Sequence, residues 1–424
     1  MSWKSILNYQ HYVEKEKGGT KAFEKAVEDL EKEGGGTIYV PAGKYETCSI
    51  ELKSNMTLYL ETGSRLEYFG ELEKYKTINF SYIGRPMCMY MPLIYARKAD
   101  HVMVCGQGVI DGHGENWWGR KAEFRKKGLR RPHMICFDHC RNVKVKDVTL
   151  INSPAWTIHP CSCDQVLIQG VSIKNPADSP NTDGINPNSS RNVRIENCVI
   201  DVGDDCIAIK SGTEDSENPE PCENVIISNC NMIHGHGGIV IGSEMSGGIR
   251  NVVVTNCVFQ DTDRGIRIKS RRKRGGIVEQ IRIQNIIMEK VICPFIVNLY
   301  YFCGEKGKEK YVWDKNPYPV DQSTPMVREV RISHVSVYQA SAAAGFFYGL
   351  KEMPIQDISI EDSVIWMDPD GKPGKPAMMD GVDPVKGAGF ILKNVSGIHL
   401  SKVVIHNCNG SMIDADETAR FIID

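Results

Sequence analysis

A short unit recurs along this chain: a polar residue, then apolar positions alternating with polar ones, with Asn or a small residue close by. Copies are Arg141-Asn142-Val143-Lys144-Val145, Asp164-Gln165-Val166-Leu167-Ile168, Arg191-Asn192-Val193-Arg194-Ile195, Glu223-Asn224-Val225-Ile226-Ile227, Arg250-Asn251-Val252-Val253-Val254, Glu279-Gln280-Ile281-Arg282-Ile283 and Arg328-Glu329-Val330-Arg331-Ile332. Weaker copies begin near Asp100, Gln356 and Ser396. The aligned Val143, Val166, Val193, Val225, Val252 and Ile281 stand 23, 27, 32, 27 and 29 residues apart. A unit of that length cannot bury its apolar face alone, so copies must stack into a solenoid. Period-2 alternation makes the stacked segments strands, and Asn and Gly at the corners supply turns. Leucine-rich repeats share the period, but their Leu-x-x-Leu-x-Leu signature is absent and no helical segment recurs. The expected fold is all-β, a single-stranded right-handed parallel β-helix.

One helix is expected after Gly18-Gly19, with Thr20 as its N-cap, because Phe23, Ala26, Val27 and Leu30 follow the i, i+3, i+4, i+7 pattern. It should cap the N-terminal end of the solenoid. The chain then reads as a single domain, 1–424: residues 1–35 form the N-terminal segment and capping helix, and 36–424 the coils. Three segments without the repeat, near 69–92, 112–133 and 300–327, read as surface loops.

Lys and Arg total 51 against 53 Asp and Glu, so the net charge of -2 offers no global attraction to nucleic acid or to an anionic membrane. No apolar run approaches bilayer-spanning length, and the N-terminus lacks the apolar core of a secretory signal, so a cytoplasmic location is expected. Fifteen Cys, an odd number without regular spacing, then read as reduced thiols. Cys161 and Cys163 near His159, and Cys136 and Cys140 near His139, raise the question of zinc. Paired C-x-x-C sets are missing, and Cys is a common small core residue, as Cys198, Cys206, Cys230 and Cys257 also read, so no metal and no cofactor is expected.

A second strand aligns through Ile185, Ile207, Ile239 and Ile266, spaced 22, 32 and 27 residues. With these inward, flanking side chains turn outward on coils about 4.8 Å apart. Three positions earlier come Thr182, Asp204, His236 and Asp263; one later come Asn186, Ala208, Val240 and Arg267; three later, Asn188, Lys210, Gly242 and Lys269. Gly184, Cys206, Gly238 and Gly265, one earlier, would leave an open floor. Ile158 as reference puts His159 in the Arg267 column, and Val297 puts Asn298 and Tyr300 one coil beyond Arg267 and Lys269. Strict alternation sends Asp183 and Asp205 inward, where a carboxylate is too costly, so a bend beside Gly203 should turn both to the cleft.

Asn181-Thr182-Asp183, Gly203-Asp204-Asp205-Cys206, Gly235-His236-Gly237 and Arg267-Ile268-Lys269, in that order, resemble the four signature motifs of the polygalacturonases, glycoside hydrolase family 28. Ile110-Asp111-Gly112 with Trp117-Trp118, Asn152-Ser153-Pro154 with Trp156-Thr157, and Gly242-Ser243-Glu244 also look like that family. The likeness runs from about residue 18 onward and includes bacterial exo-acting members. It implies hydrolysis of α-1,4-galacturonosyl linkages in an acidic oligo- or polysaccharide, with Asp204 as general acid and Asp183 and Asp205 activating water, inverting the anomeric centre. Crowded carboxylates resist joint ionisation, which should raise at least one of their pKa values. His236 would tune or orient the acid. Arg267 and Lys269 suit a uronate carboxylate, with Asn181 in the same site. His159 and Tyr300 are weaker candidates for the cleft wall, Tyr300 alternatively packing under the 300–327 segment. Arg271-Arg272-Lys273-Arg274 would extend the positive potential toward a polyanionic sugar, and Trp117 and Trp118 read as hydrophobic cover rather than a sugar platform.

Alternatives are a hydrolase of another uronate-containing pectic glycan of rhamnogalacturonan type, a polysaccharide lyase, and a non-catalytic glycan-binding solenoid. Fold alone favours none of them. Three Asp beside a His favour hydrolysis. Without an export signal the chain would meet only imported oligosaccharides, which favours exo action, walled by an insertion such as 300–327. Nothing in a β-helix requires an oligomer.

Overall fold

The computed structural model describes residues 2–12, 19–82, 85–302, 304 and 306–424; Gly18 of the expected helix start lies outside them. The chain divides into two compact units, Met1–Asp204 and Asp205–Asp424, each a stack of parallel coils. The class is the expected one, a parallel β-helix.

The repeat positions pair directly across neighbouring coils. In the first unit Val102 lies beside Val143, Val143 beside Val166, and Val166 beside Val193. In the second, Val225 lies beside Val252, then Ile281, Val330, Ile358 and Ile398. All of these side chains are buried, so each coil completes its neighbour's core. The residue before the repeat Val explains the recurrent Asn: Asn142, Gln165, Asn192, Asn224, Asn251, Gln280 and Glu329 all have φ between 51° and 59°. Asn enters that left-handed region more readily than other non-glycine residues. Stacking also lets the Asn251 amide donate to Asn224 Oδ1 at 3.1 Å, with Asn256 on Asn229 and Asn285 on Asn256 at a second corner.

The helix is Thr20–Lys32, burying Ala22, Phe23, Ala26, Val27 and Leu30. Its N-cap is Gly19, not Thr20; the Thr20 hydroxyl instead accepts from the Cys48 amide at 2.8 Å, tying the helix to the first coils. The segments read as surface loops have structure of their own. Thr77–Tyr82 and Arg85–Tyr90 form an antiparallel hairpin, extended by Leu129–Arg130. Residues 112–133 include two short helices, Glu115–Trp118 and Lys121–Lys126. Trp117 is fully buried against Tyr75, Tyr90 and Phe124 and serves as cover. Lys310–Trp313 is a helical turn in the second unit. The sequence reading overlooked one long excursion, residues 368–387, between the strands Ile355–Met367 and Ala388–Lys393. None of the fourteen described cysteines is in a disulfide, and eleven of them are buried.

Candidate active site

In the first unit the site is built on the turn before the second strand. Asn181 has φ 57°, a left-handed conformation that reverses the chain and presents Asp183. The Asp183 carboxylate is buried but polar-bound, accepting from the Asn186 amide at 3.1 Å, and one of its oxygens lies within 4.8 Å of an Asp204 oxygen. Asp204 is partly exposed, and its Oδ2 accepts from Asn181 Nδ2 at 3.3 Å. Gly203 is there for space: an added Cβ would stand 2.5 Å from the Ser179 carbonyl oxygen and 2.6 Å from that of Pro176.

Asp205 opens the second unit and points out of the core to two cations. Lys269 Nζ lies 2.6 Å from one carboxylate oxygen and an Arg267 nitrogen 3.4 Å from the other. Burial opposes its ionisation, but the charges of Lys269, Arg267 and Lys210 outweigh burial and hold Asp205 far below the usual carboxylate range. At Asp205 the direction is therefore set by these cations and not by its neighbouring carboxylates. Lys210 in turn reaches Glu244 at 3.1 Å, and Glu244 is held down to about 2 against its own burial by Lys210, Arg274 and Lys269. The His236 side chain is 50 % exposed, and its Nδ1 lies 2.9 Å from Asp263 Oδ2. The Tyr301 ring faces both cations of the pair, 5.4 Å from the Arg267 guanidinium carbon and 5.1 Å from Lys269 Nζ.

Four details differ from the sequence reading. Gly238 and Gly265 are not an open floor, since an added Cβ would meet the core side chains Phe259 at 2.8 Å and Met288 at 2.4 Å. Gly237 is closed as well, since an added Cβ would meet Val240 Cγ2 at 2.5 Å, with Asp205 Oδ1 at 3.5 Å and Arg267 Cδ at 3.6 Å. The last coil was aligned two residues out: Phe295, not Val297, pairs with Ile266, so Asn298 sits beside Lys269. Tyr300 consequently leaves the Lys269 column and lies fully buried between Arg272, Lys315 and Tyr348, under the 300–327 segment. The basic run is structural: Arg271 and Arg274 grip Glu214, and Arg272 grips Glu352 while donating to the carbonyls of Tyr311, Asp314 and Asn316. Only Lys273 of the four is well exposed.

His159 is fully buried among Phe80, His133 and Trp156, under the hairpin rather than on an exposed wall. Its Nδ1 is 2.9 Å from His133 Nδ1, with Cys136 Sγ at 3.8 Å. Two nitrogens on one tetrahedral zinc would stand about 3.3 Å apart, so the closer contact is that of an imidazole hydrogen bond. Burial also pushes the His133 pKa down to about 3, keeping it neutral.

Sequence reasoning missed Arg131, Lys210, Glu244, Asp263, Tyr301 and Met378. Lys210 and Asp263 stood in the aligned columns and Glu244 in a quoted triplet, but no partner had been assigned to them. Met378, whose sulfur accepts from Arg267 at 3.1 Å, belongs to the 368–387 excursion and carried no signal.

Residues 37–315 match the family model described as Glycosyl hydrolases family 28. A probable polygalacturonase of Vitis vinifera is 37% identical over 317 residues, 72% of this chain and 63% of the relative. A polygalacturonase of Persea americana is 28% identical over 403 residues, covering 92% and 78% of the two chains. The chain spans less than two thirds of the length of several curated plant relatives, 43% in one case from Arabidopsis thaliana. Among solved structures, a hyperthermoactive exopolygalacturonase from Thermotoga maritima aligns with TM-score 0.75 and 27% identity over 96% of this chain and 92% of that one. The Yersinia enterocolitica family 28 exopolygalacturonase, 19% identical with TM-score 0.79, shares the fold over 100% of this chain and 77% of that one. With the family model covering more than half of its length, the chain belongs to glycosyl hydrolase family 28.

Proposed function

We propose that the protein is an inverting, exo-acting glycosidase that hydrolyses α-1,4-galacturonosyl linkages in acidic oligosaccharides. One observation carries this reading: consecutive carboxylates have opposite surroundings, Asp205 clamped by Lys269 and Arg267 while Asp204 is bound by a neutral amide. Such a division is what acid and base roles demand. Asp204 donates its proton to the leaving oxygen, and Asp183 and Asp205 hold and deprotonate the attacking water. His236, oriented by Asp263, supports the acid. Arg267 and Lys269 hold Asp205 ionised and present positive charge to a substrate uronate. Exo action is supported by the hairpin Thr77–Tyr82 and Arg85–Tyr90, whose Phe80 and Met89 pack with Tyr95, Cys136 and Cys161.

The test is a time course on oligogalacturonides of defined length, with Asp204→Asn alongside. Saturated monomer from the first time points, with kcat lowered about 10²- to 10⁴-fold in the variant, is the expected result. Unsaturated products absorbing in the ultraviolet would make the protein a lyase, and no cleavage would point to another uronate-containing glycan.

A further inference from the structure

Arg131 lies at the end of the 112–133 insertion, outside every motif singled out in the sequence. Its guanidinium spans three acceptors: the Pro154 carbonyl at 2.7 Å, the Pro180 carbonyl at 2.8 Å and Asn181 Oδ1 at 2.9 Å. A guanidinium has donors only, so the Asn181 amide must turn its oxygen to Arg131 and its nitrogen away. The nitrogen then meets Asp204 Oδ2. The grip on Pro180 also fastens the left-handed turn at Asn181, which fixes where that amide stands.

We propose that Arg131 is a positioning residue that, through the Asn181 amide, determines which oxygen of Asp204 carries the acid proton. Nδ2–H donates to Oδ2, so the proton resides on Oδ1. In the step assigned to Asp204, the Oδ1–H bond breaks, the glycosidic oxygen takes the proton as its bond to the anomeric carbon breaks, and the electron pair stays on Asp204. The Asn181 donor binds the resulting carboxylate more strongly than the neutral acid and so eases the transfer. Charged groups that bear on Asp204 include Asp183, its chain neighbour Asp205, Arg131 behind the amide and the His236 assigned to support the acid. The catalytic half of this inference rests on the hydrolytic reading; the relay itself does not.

Two measurements on Arg131→Met, Arg131→Lys and Asn181→Asp separate the two. A ¹³C titration of the Asp204 carboxyl needs no substrate. Loss of the fixed donor should displace the Asp204 carboxyl resonance in Arg131→Met, and a carboxylate at 181 should displace it further. On oligogalacturonides, Arg131→Met should lower kcat roughly tenfold to a hundredfold with KM within about threefold, and shift the alkaline limb of the kcat profile upward. Arg131→Lys should resemble Arg131→Met, because an ammonium cannot span three acceptors in one plane. An Asp204 carboxyl titrating alike in wild type and in the folded Arg131 and Asn181 variants overturns the relay. A shifted titration in a wild-type protein that cleaves no galacturonide keeps the relay and overturns the hydrolytic reading. Should Arg131→Met fail to fold by circular dichroism, Asn181→Asp, which keeps an acceptor for Arg131, decides the matter by the same titration.

Discussion

At the scale of single residues, the site is a set of charges that are each costly without their partners. Asp205 is buried beside Lys269, so removing the ammonium leaves a carboxylate without its nearest compensation. Lys269→Met should therefore destabilise the fold by about 3 kcal/mol and lower kcat, both readable by chemical denaturation and steady-state kinetics. Glu244 gives a pH signature. Its folded pKa of about 2 lies below the ordinary glutamate value of 4.5, so its contribution is complete above the unfolded value and vanishes as pH falls through the folded one. Wild type should thus lose about 3 kcal/mol between roughly pH 4.5 and 2 that Glu244→Gln lacks from the start. Equal acid sensitivity in the two proteins would show that the Lys210 pair is not what holds Glu244. Asp204, Arg267 and Lys269 stood out because the coil period lines them up, whereas Asp183 and Asp205 were reached only through the cost of burying a carboxylate and the motif resemblance. Their mutual pairing was not legible, because alternation gives a face and not the reach of a side chain. Tyr300 was placed in the Lys269 column, where Asn298 stands, because one coil was registered two residues out.

Among the elements, the repeat was readable because two periods coincide, two residues along each strand and one coil between strands. The Asn before each repeat Val has a conformational cause that sets a prediction. Asn251, at φ 54°, tolerates the left-handed region and donates to Asn224. Asn251→Ala should cost about 1 to 2 kcal/mol, whereas Asn251→Gly regains in backbone freedom much of what the lost amide contributed and should cost about half as much. Equal losses by thermal denaturation would make the amide ladder, not the backbone, the reason for Asn. What the repeat could not reveal is the fastening of the irregular segments. Arg272 read as part of a basic run attracting a polyanionic sugar, yet it binds Glu352, 80 residues away, and three carbonyls of residues 311–316. Arg272→Met should cost about 3 to 5 kcal/mol by stranding Glu352 and those carbonyls, and should raise protease sensitivity within 300–327 first.

For the molecule as a whole, the question is what sets the length of the product. A groove open at both ends releases fragments of many lengths, and a wall at one end forces cleavage one sugar from the terminus. In the first unit the hairpin from Thr77 to Tyr90 packs Phe80 and Met89 with Tyr95, Cys136 and Cys161, and so covers what would otherwise be a continuation of that strand face. The hairpin is removable without pulling the coil apart, because the Met91 amide already bonds the Lys76 carbonyl at 2.9 Å. Replacing residues 77–90 by Gly-Ser-Gly should keep a cooperative thermal transition, lowered by exposure of Tyr95 and the two thiols. Product analysis on a decamer should then change from monomer at every time point to mixed oligomers at the earliest ones. Because the proposed acid and base, Asp204 with Asp183 and Asp205, lie outside the excised segment, total bond cleavage on the decamer should persist. Continued release of monomer alone by the folded variant would place the wall elsewhere, and the 300–327 segment fastened by Arg272 is then the next to shorten.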